Sequence, residues 1–375
     1  MSLQLNGTAG VTYNDGSNQP AAASPYVLKN RIINGNMAID QRNNGSSNTA
    51  NSTAYFVDRL QLQASGTPPV LTGQRVSDAP NDFKYSMKFT TNSTTDTLTA
   101  SEAVTPRQNI EGFNVADFNF GNANAKEFTV SFWVKSSVTG TYGFCVMNAG
   151  FDRHYVTTYN INSANTWEKK TITLTADTSG TWDSTTGVGV RIMFPIDTGP
   201  GMETATTETW GTGDYRRTAS CVKLLQSSSA TWQITGLQVE LGDTATPFEN
   251  RMYSQELAMC QRYYYKIISG GAGYSRFQSG FVANTTTTSG ITYFPVIMRT
   301  RPTALETSGT TGDYAVVYAA TAALCTSIPV YSITTSNSQG VVAFTTNAVL
   351  TVGHGIMNSS SSGNANAYLA WSAEL

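Results

Sequence analysis

Charged side chains are scarce in this chain. Lys, Arg, Asp and Glu make up 13% of its 375 residues, and the formal net charge at pH 7 is −2. The usual share of charged residues is roughly 25%. Because there is no basic excess, we expect neither nucleic acid nor an anionic membrane as a partner. The polar residues are mainly Ser, Thr, Asn and Gln, whose side chains do not titrate, so the composition suits a protein that works outside cells.

Histidine and cysteine are also rare, which limits the chemistry that the chain can perform. The two histidines, His154 and His354, have no neighbour at the spacing of a metal site or a catalytic triad. The cysteines form no CxxC pair and no Cys/His zinc motif, and we expect them to be buried free thiols: Cys145, Cys221, Cys260 and Cys325. We therefore expect no cofactor, no metal and no catalytic residue, and we interpret the protein as not an enzyme.

Long apolar runs are absent as well. No stretch approaches the ~20 residues of a membrane span. The opening Met1–Asn6 lacks the basic start and the apolar core of a signal peptide. We expect no membrane insertion, and a protein made in the cytoplasm and released by lysis would have such a sequence.

The chain does contain many short segments that alternate between apolar and polar residues. In Phe128–Lys135, apolar side chains at every second position share one face, and Trp133 lies on the other. Such strands, separated by Gly and Asn turns, predict an antiparallel β-sandwich, and their number in residues 29–250 favours a jelly roll. The predicted strands are Tyr55–Gln63, Tyr85–Thr90, Thr97–Val104, Glu127–Lys135, Thr141–Met147, Trp167–Leu174, Gly187–Phe194 and Thr231–Leu241.

The flanking regions complete the predicted organisation. Residues 251–375 begin with a short amphipathic segment, Ser254–Arg262, with Ser254 as a credible N-cap. This segment predicts a short connecting helix, and the strand signals after it predict a second, smaller β-sandwich as a candidate receptor-binding domain. Residues 1–28, rich in Gly, Asn, Ala and Pro, predict an extended N-terminal arm that becomes ordered against a partner.

Two segments resemble tail-fibre and related structural proteins of bacteriophages and prophages. The first joins Asn30–Met37, Gln41-Arg42 and Tyr55–Leu60, and is similar to an "N-x-x-I-N-G-x-M-x-x-x-QR … F-x-x-DRW" opening with Leu60 at the usual Trp. The second is the run TGLQVELGDTATPFENRMYSQELAMCQRYYY at 235–265, and a weaker match lies in Gly10–Gln19. The strand pair around Phe128–Lys135 and Trp167–Leu174 resembles the jelly roll of carbohydrate-binding modules.

The resemblance implies a virion structural protein. It would be a homotrimeric tail fibre or receptor-binding adhesin that docks on other virion proteins through residues 1–28 and contacts host cell-surface polysaccharide or lipopolysaccharide. The expected location is the virion, after synthesis in the host cytoplasm and release by lysis. One alternative is a head fibre or capsid-decoration protein. Another is a polysaccharide-degrading tailspike, although the repeated coils of a long β-helix are missing.

The candidate ligand-binding residues lie in predicted loops. Trp210 and Tyr215 belong to a Gly-rich excursion, and Asn358 and Asn364 belong to a Ser/Asn run in the second domain. Uncharged hydroxyls and amides can hydrogen-bond sugars without a large desolvation cost. The alternative is that these segments fold on their own domain or are solvated tips.

The segment after the helix suggests a contact between subunits. Leu257, Tyr263 and Tyr264 could pack around a trimer axis, or they could form a brace between the two domains of one chain. A separate alternative concerns metal. Asp177 and Asp183 bracket a turn that could hold a structural Ca²⁺ through oxygen ligands, although the register of an EF-hand is absent.

Overall fold

The computed structural model describes residues 28–50, 52–66, 71–94, 98–319 and 321–375, together with the backbone of three short strands before them. Those strands are β1 (Gln4–Asn6), β2 (Gly10–Thr12) and β3 (Asn18–Gln19), which pair antiparallel in one sheet. The rest of the predicted extended arm, apart from Leu28, lies outside the described residues.

The next strands, in chain order, belong to the first sandwich. They are β4 (Asn48–Ala50), β5 (Ala54–Val57), β6 (Leu60–Ser65), β7 (Leu71–Val76), β8 (Ser86–Thr91), β9 (Ala103–Glu111), β10 (Phe128–Ser136), β11 (Gly140–Met147), β12 (Arg153–Ile161), β13 (Glu168–Leu174), β14 (Val188–Met193), β15 (Asp197–Thr198), β16 (Trp210–Thr212) and β17 (Thr231–Leu241). Short 3₁₀ helices lie between them at Gly112–Asn114, Ala116–Phe118, Pro200–Met202 and Leu224–Gln226.

These strands form two antiparallel sheets that face each other across the core. One sheet has six strands in the order β13-β10-β17-β8-β7-β4. The other has eight, in the order β16-β12-β11-β14-β9-β6-β5, with β15 beside β9. Phe132 from the first sheet stacks on Phe144 from the second with 6.2 Å between ring centroids, and lies 4.9 Å from the ring of Phe194. The predicted antiparallel jelly-roll β-sandwich is confirmed.

Several strands of this sandwich differ from the predictions. The strand predicted at Thr97–Val104 is wrong in position, because β9 begins only at Ala103, and the one predicted at Tyr55–Gln63 is two strands, β5 and β6. The strands β4, β7, β12, β15 and β16 were not predicted. The nine residues of β9 are all buried although several are polar. Several of its polar side chains pair with distant segments. For example, Gln108 Nε2 donates to the carbonyl oxygen of Ile33 at 2.9 Å. Burial of this kind removes the alternation on which strand prediction depends.

The second sandwich follows a single helix. In chain order the elements are α1 (Tyr253–Gln261), β18 (Tyr264–Ile268), β19 (Arg276–Val282), β20 (Thr287–Tyr293), β21 (Leu305–Thr307), a 3₁₀ helix (Thr311–Asp313), β22 (Tyr314–Tyr318), β23 (Thr321–Leu324), β24 (Val330–Tyr331), β25 (Gln339–Thr345), β26 (Gly355–Ser360) and β27 (Tyr368–Ser372). The N-cap of α1 is Met252 and makes no side-chain capping bond, so the prediction of Ser254 as N-cap is wrong. The buried Glu256, which accepts a hydrogen bond from the backbone of Asn34, fixes this end of the helix instead.

The strands after α1 form a three-stranded sheet, β18-β27-β21, and a seven-stranded sheet, β23-β22-β26-β19-β20-β25-β24. Trp371 lies between the two sheets, with Tyr265 stacked at 6.2 Å and Phe294 edge-on at 5.3 Å between ring centroids. This is the second, smaller sandwich. The large hydrophobic clusters lie within residues 32–239 and 277–373. The domain limits 1–28, 29–250 and 251–375 stay predictions.

Candidate functional site

The two motif segments pack against each other where the sandwiches meet. Asn30 donates from Nδ2 to the carbonyl oxygen of Leu237 at 3.2 Å, and its backbone N–H donates to Glu249 at 2.7 Å. A Cβ atom at Gly35 would lie 2.1 Å from the carbonyl oxygen of Leu237, so no larger residue fits there without movement of the backbone. Packing within the chain therefore accounts for these motif residues.

Tyr263 is fully buried in this junction. The guanidinium carbon of Arg59 lies 3.6 Å from its ring centroid, and its hydroxyl donates to Glu111 at 2.5 Å. Burial is the main cause that raises the pKa of the Tyr263 hydroxyl, and the Glu111 carboxylate adds to it. The ring and the hydroxyl of Tyr263 therefore make their contacts within one chain.

Tyr264 is buried in the same way. Its hydroxyl donates to Glu306 at 2.9 Å, and the guanidinium carbon of Arg42 lies 3.6 Å from its ring centroid. The prediction that Tyr263 and Tyr264 form a subunit interface is wrong, because neither side chain is left to reach a second copy. They form the brace between the two sandwiches, the alternative left open above. Leu257 is half-buried beside Tyr263, and its interface role stays a prediction.

Asp58 adds a titratable group to the junction. Its carboxylate accepts hydrogen bonds from the backbone N–H and from Nε2 of Gln41, both at 2.6 Å. Burial raises the pKa of Asp58 to about 7, although the bonds from Gln41 and the charge of Arg42 oppose the shift. Glu374 adds a smaller repulsion that also raises the pKa. The brace therefore contains a carboxyl group that changes charge near neutral pH.

The predicted binding loop of the first sandwich folds back on its own domain. Trp210 donates from its indole Nε1 to the carbonyl oxygen of Thr175 at 2.8 Å, and its ring lies 5.4 Å from that of Trp182. It is half-buried and has no free polar atom for a ligand. Tyr215 is exposed at 37% and packs edge-on against His154, so it stays accessible on the outer face of the eight-stranded sheet. Its binding role stays a prediction.

The two asparagines predicted to bind a ligand in the second sandwich also make hydrogen bonds within the chain. Asn358 is fully buried in β26 and accepts a hydrogen bond from Thr288 Oγ1 at 2.8 Å. The prediction that it binds a ligand is wrong, because the Ser/Asn run begins inside β26 and the side chain of Asn358 is buried there. Asn364 donates from Nδ2 to Asp313 at 2.6 Å, and its Oδ1 accepts two backbone N–H bonds. Asn364 therefore shapes its loop, and its binding role stays a prediction.

A cleft that we did not predict opens on the outer face of the six-stranded sheet. It encloses about 540 Å³ and is lined by three aromatic residues. Trp133 comes from β10. Phe83 and Phe248 come from flanking loops, with their ring centroids 5.0 Å apart. The polar side chains around these rings are Asp82, Ser131, Lys169, Thr246 and Asn250. Aromatic faces among a few polar groups are the usual lining of a small-ligand site.

The cleft depends on an irregularity in β17. The register between β10 and β17 shifts between Ser131 and Trp133, and Gly236 opposite has a φ of +61°. Glycine adopts this left-handed conformation most readily. A Cβ atom there would lie 2.6 Å from the Phe83 ring and 3.0 Å from the Trp133 ring. The missing side chain at Gly236 therefore makes room for both rings. A glycine inside a strand next to an outward tryptophan was the available signal.

A second tryptophan lies on the same face of the sheet. The Nζ of Lys135, two positions after Trp133, lies 5.1 Å from the Trp167 ring, and Trp167 Nε1 donates to Asp78 at 3.2 Å. Burial alone would raise the pKa of Asp78, but hydrogen bonds from Lys135 and Trp167 outweigh it and the pKa is lowered. The indole of Trp167 is thus held in place by an ionised pair beside the cleft.

The outer face of the seven-stranded sheet is apolar. Its strands alternate, so that one set of side chains packs on Trp371 and the other faces outward. The large outward side chains are between 40% and 75% exposed: Phe281, Tyr293, Leu324, Val330 and Met357. The other outward residues of the described strands are mostly small or uncharged, including Ser279, Ser289, Val317, Gln339 and Ala343. The exposed Arg276, at the start of β19, is the charged residue among them. Exposed apolar patches are a common feature of interaction surfaces.

In the described part of the chain, no group of three or more His, Cys, Asp or Glu side chains could hold a metal ion. In the turn considered for Ca²⁺, Asp177 accepts two hydrogen bonds from Arg153 at 2.9 and 2.6 Å, and Asp183 accepts two from Thr185. All four cysteines are buried and unpaired, as expected. None of the helices described is long and apolar enough to cross a membrane.

Solved structures that are similar to part of this chain include a phage domain and sugar-binding modules. The enzymatically active domain of tailspike protein 4 from bacteriophage CBA120 is 14% identical over 57% of this chain and 22% of its own, with a TM-score of 0.29. The CBM22-1 xylan-binding domain from Paenibacillus barcinonensis is 11% identical over 54% of this chain and 97% of its own, with a TM-score of 0.25. The family 11 carbohydrate-binding module from Clostridium thermocellum, solved with a mixed-linked tetrasaccharide, is 13% identical over 53% of this chain and 88% of its own, with a TM-score of 0.24.

This chain thus spans less than a quarter of the tailspike domain. No protein-family model matches the chain. No curated protein matches it in sequence.

Proposed function

We propose that the protein is a phage virion structural protein, a homotrimeric tail fibre or receptor-binding adhesin that binds host surface glycans. The observation that carries the binding role is the cleft in which Trp133, Phe83 and Phe248 present their rings among polar side chains. The apolar faces of sugar rings can pack on such aromatic faces, while hydroxyl and amide groups bind the sugar hydroxyls. The motif resemblance at Asn30–Leu60 and 235–265 supports the virion role.

The proposed activity is binding without cleavage. Hydrolysis of a glycosidic bond usually needs two carboxyl groups about 5–9 Å apart across the bond. Among the described residues that line the cleft, Asp82 is the single carboxylate. Incubation with host polysaccharide should therefore release no new reducing ends. Their appearance would favour the tailspike alternative.

The proposed trimer interface is the apolar outer face of the seven-stranded sheet, in place of Tyr263 and Tyr264. Further copies of this chain can cover the face, because Arg276, at the start of β19, is the one charged residue in the described strands of this sheet and most of the face would not repel an identical surface. Burying its exposed apolar side chains would stabilise the assembly by roughly 25 cal/mol per Å². Three copies would also present three clefts, so that weak binding at each one multiplies through avidity.

Residues 1–28 are the proposed attachment to the virion. Deleting them should leave both sandwiches folded and abolish incorporation into virions. The density for this segment in a virion map would distinguish a tail fibre from a head fibre or capsid-decoration protein, because it would enter either the tail or the head.

A binding experiment with host cells tests the proposed function. Purified protein should sediment with host cells in a saturable manner, and free host lipopolysaccharide or capsular polysaccharide should compete. Cells that lack the polysaccharide should bind little. Equal binding to both kinds of cell, unaffected by competitor, would contradict a glycan receptor.

A further inference from the structure

Three arginines converge around one aromatic ring on the outer face of the eight-stranded sheet. The guanidinium carbons of Arg191, Arg216 and Arg107 lie 4.0, 5.4 and 5.7 Å from the centroid of the Phe151 ring. All three arginines are more than nine-tenths buried. Arg107 and Arg191 come from the adjacent strands β9 and β14, and Arg216 comes from the loop after β16. Positive charge is therefore concentrated at one place.

This positive charge is not balanced by the protein. Among the described residues, Arg216 is the one arginine of the three that forms an ion pair. It donates two hydrogen bonds to the carboxylate of Asp214, of 2.7 and 2.8 Å. Arg107 donates only to neutral groups, the amide oxygens of Gln61 and Gln63, both at 2.7 Å. Three cations face one carboxylate, which leaves an excess of two positive charges.

Arg191 is the least satisfied of the three arginines. Its Nη1 donates to the carbonyl oxygen of Asn148, and its buried Nε has no hydrogen-bond partner. Burial lowers the pKa of Arg191, and the charges of Arg107 and Arg216 lower it further. A buried guanidinium with an unused donor is costly unless something else supplies an acceptor.

The surroundings suit a charged ligand. Phe151 has a φ of +57°, a rare conformation for a bulky residue, in the turn between β11 and β12. It packs on a small apolar cluster formed by Cys145, Met147, Val156 and Met193. Apolar surroundings strengthen the attraction between a guanidinium group and an oxyanion.

We propose that the cluster of Arg107, Arg191 and Arg216 around Phe151 binds one oxyanion, the carboxylate or phosphate group of a ligand. The site is separate from the cleft at Trp133, because the two lie on the outer faces of opposite sheets. It therefore does not depend on the proposed function. If both sites operate, the protein recognises a glycan that carries acidic groups as well as neutral sugar rings.

Calorimetric titration of the full chain at constant ionic strength tests this proposal. The probes are galacturonate, inorganic phosphate and neutral galactose. We expect galacturonate or phosphate, and not galactose, to bind this site. The variant Arg191→Gln should weaken that binding by at least about tenfold, because charge-assisted hydrogen bonds are lost. Arg301→Gln, at an exposed arginine, is the matched control and should bind as the wild type does.

A second variant gives a change in the opposite direction. Asp214→Asn removes the one carboxylate that competes for Arg216, so the oxyanion should bind several-fold more tightly. A merely structural role of the cluster would not produce tighter binding. Galacturonate binding would identify a sugar acid as a ligand, and phosphate binding alone would identify a phosphate group. Binding of neither anion, or binding that is unchanged in Arg191→Gln, would overturn the proposal.

Discussion

The guanidinium carbon of Arg59 lies 3.6 Å from the centroid of the Tyr263 ring, and both side chains are buried where the two sandwiches meet. Arg59 also forms an ion pair with Glu374 and donates from Nη2 to the carbonyl oxygen of Asn109 at 2.6 Å. One arginine of the first sandwich thus contacts Glu374, two residues after β27, and Tyr263, immediately before β18. We expect the two sandwiches to behave as one cooperative unit.

The Arg59–Glu374 pair should contribute strongly to stability. We expect Arg59→Met to lower the free energy of unfolding by about 3–5 kcal/mol, because among the described residues it leaves the buried Glu374 side chain with Arg42 alone as an ion-pair partner. Urea denaturation measures the change. The exposed Arg301→Met is the control, with an expected change within about 0.5 kcal/mol. The double variant Arg59→Met/Glu374→Gln should recover part of the loss. Equal stability of Arg59→Met and the wild type would contradict the role of the brace.

Asp58 should make stability depend on pH. Its folded-state pKa of about 7 lies above the value near 3.9 of an unfolded chain, so the folded state holds the proton more tightly. The resulting stabilisation is complete below about pH 4 and is lost as the pH rises through about 7, by on the order of 4 kcal/mol.

The variant Asp58→Asn has no carboxyl group that titrates at this position. Relative to the wild type it should become steadily more stable between pH 5 and about pH 7 and level off above that, as measured by denaturant titration at each pH. Asp243→Asn, at an exposed turn, controls for the removal of one surface carboxylate. Parallel pH profiles for the wild type and Asp58→Asn would show that Asp58 is already ionised in the folded protein.

The apolar face of the seven-stranded sheet should hold the trimer together. Light scattering of the wild type should give about three times the chain mass of 40.3 kDa. Phe281→Glu places a charge in the middle of the face and should reduce the particle to a single chain, because burying an unpaired charge is costly. Phe113→Glu, at an aromatic residue of the first sandwich that is 59% exposed, should leave the trimer intact. A monomeric wild type would exclude this interface.

The sequence is a good guide where side chains alternate between core and solvent. The inward face of β10, from Phe128 to Val134, and the outward position of Trp133 were both predicted, because hydrophobic burial follows the two-residue period of a strand. The sequence fails where polar side chains are buried. β9 and β26 contain Gln108 and Asn358, whose partners Ile33 and Thr288 are about 70 residues away in the chain.

The candidate site could be predicted only in part. Trp133 and Gly236 are visible in the sequence. The cleft, however, needs Phe83 and Phe248 to meet from loops that are 165 positions apart, which no local pattern shows. Tyr263 and Tyr264 show the opposite difficulty. Three consecutive tyrosines after a helix fit a brace or a subunit contact equally well. The hydrogen-bond partners of Tyr263 and Tyr264, the buried Glu111 and the half-buried Glu306, decide for the brace.

The cleft around Trp133 is the proposed glycan site. The most direct test of this site is calorimetric titration of the full chain with oligosaccharides prepared from host surface polysaccharide. We predict saturable binding by the wild type and at least a tenfold loss in Trp133→Ala, with Phe113→Ala unchanged and both variants folded by circular dichroism. Wild-type affinity in Trp133→Ala would contradict the claim.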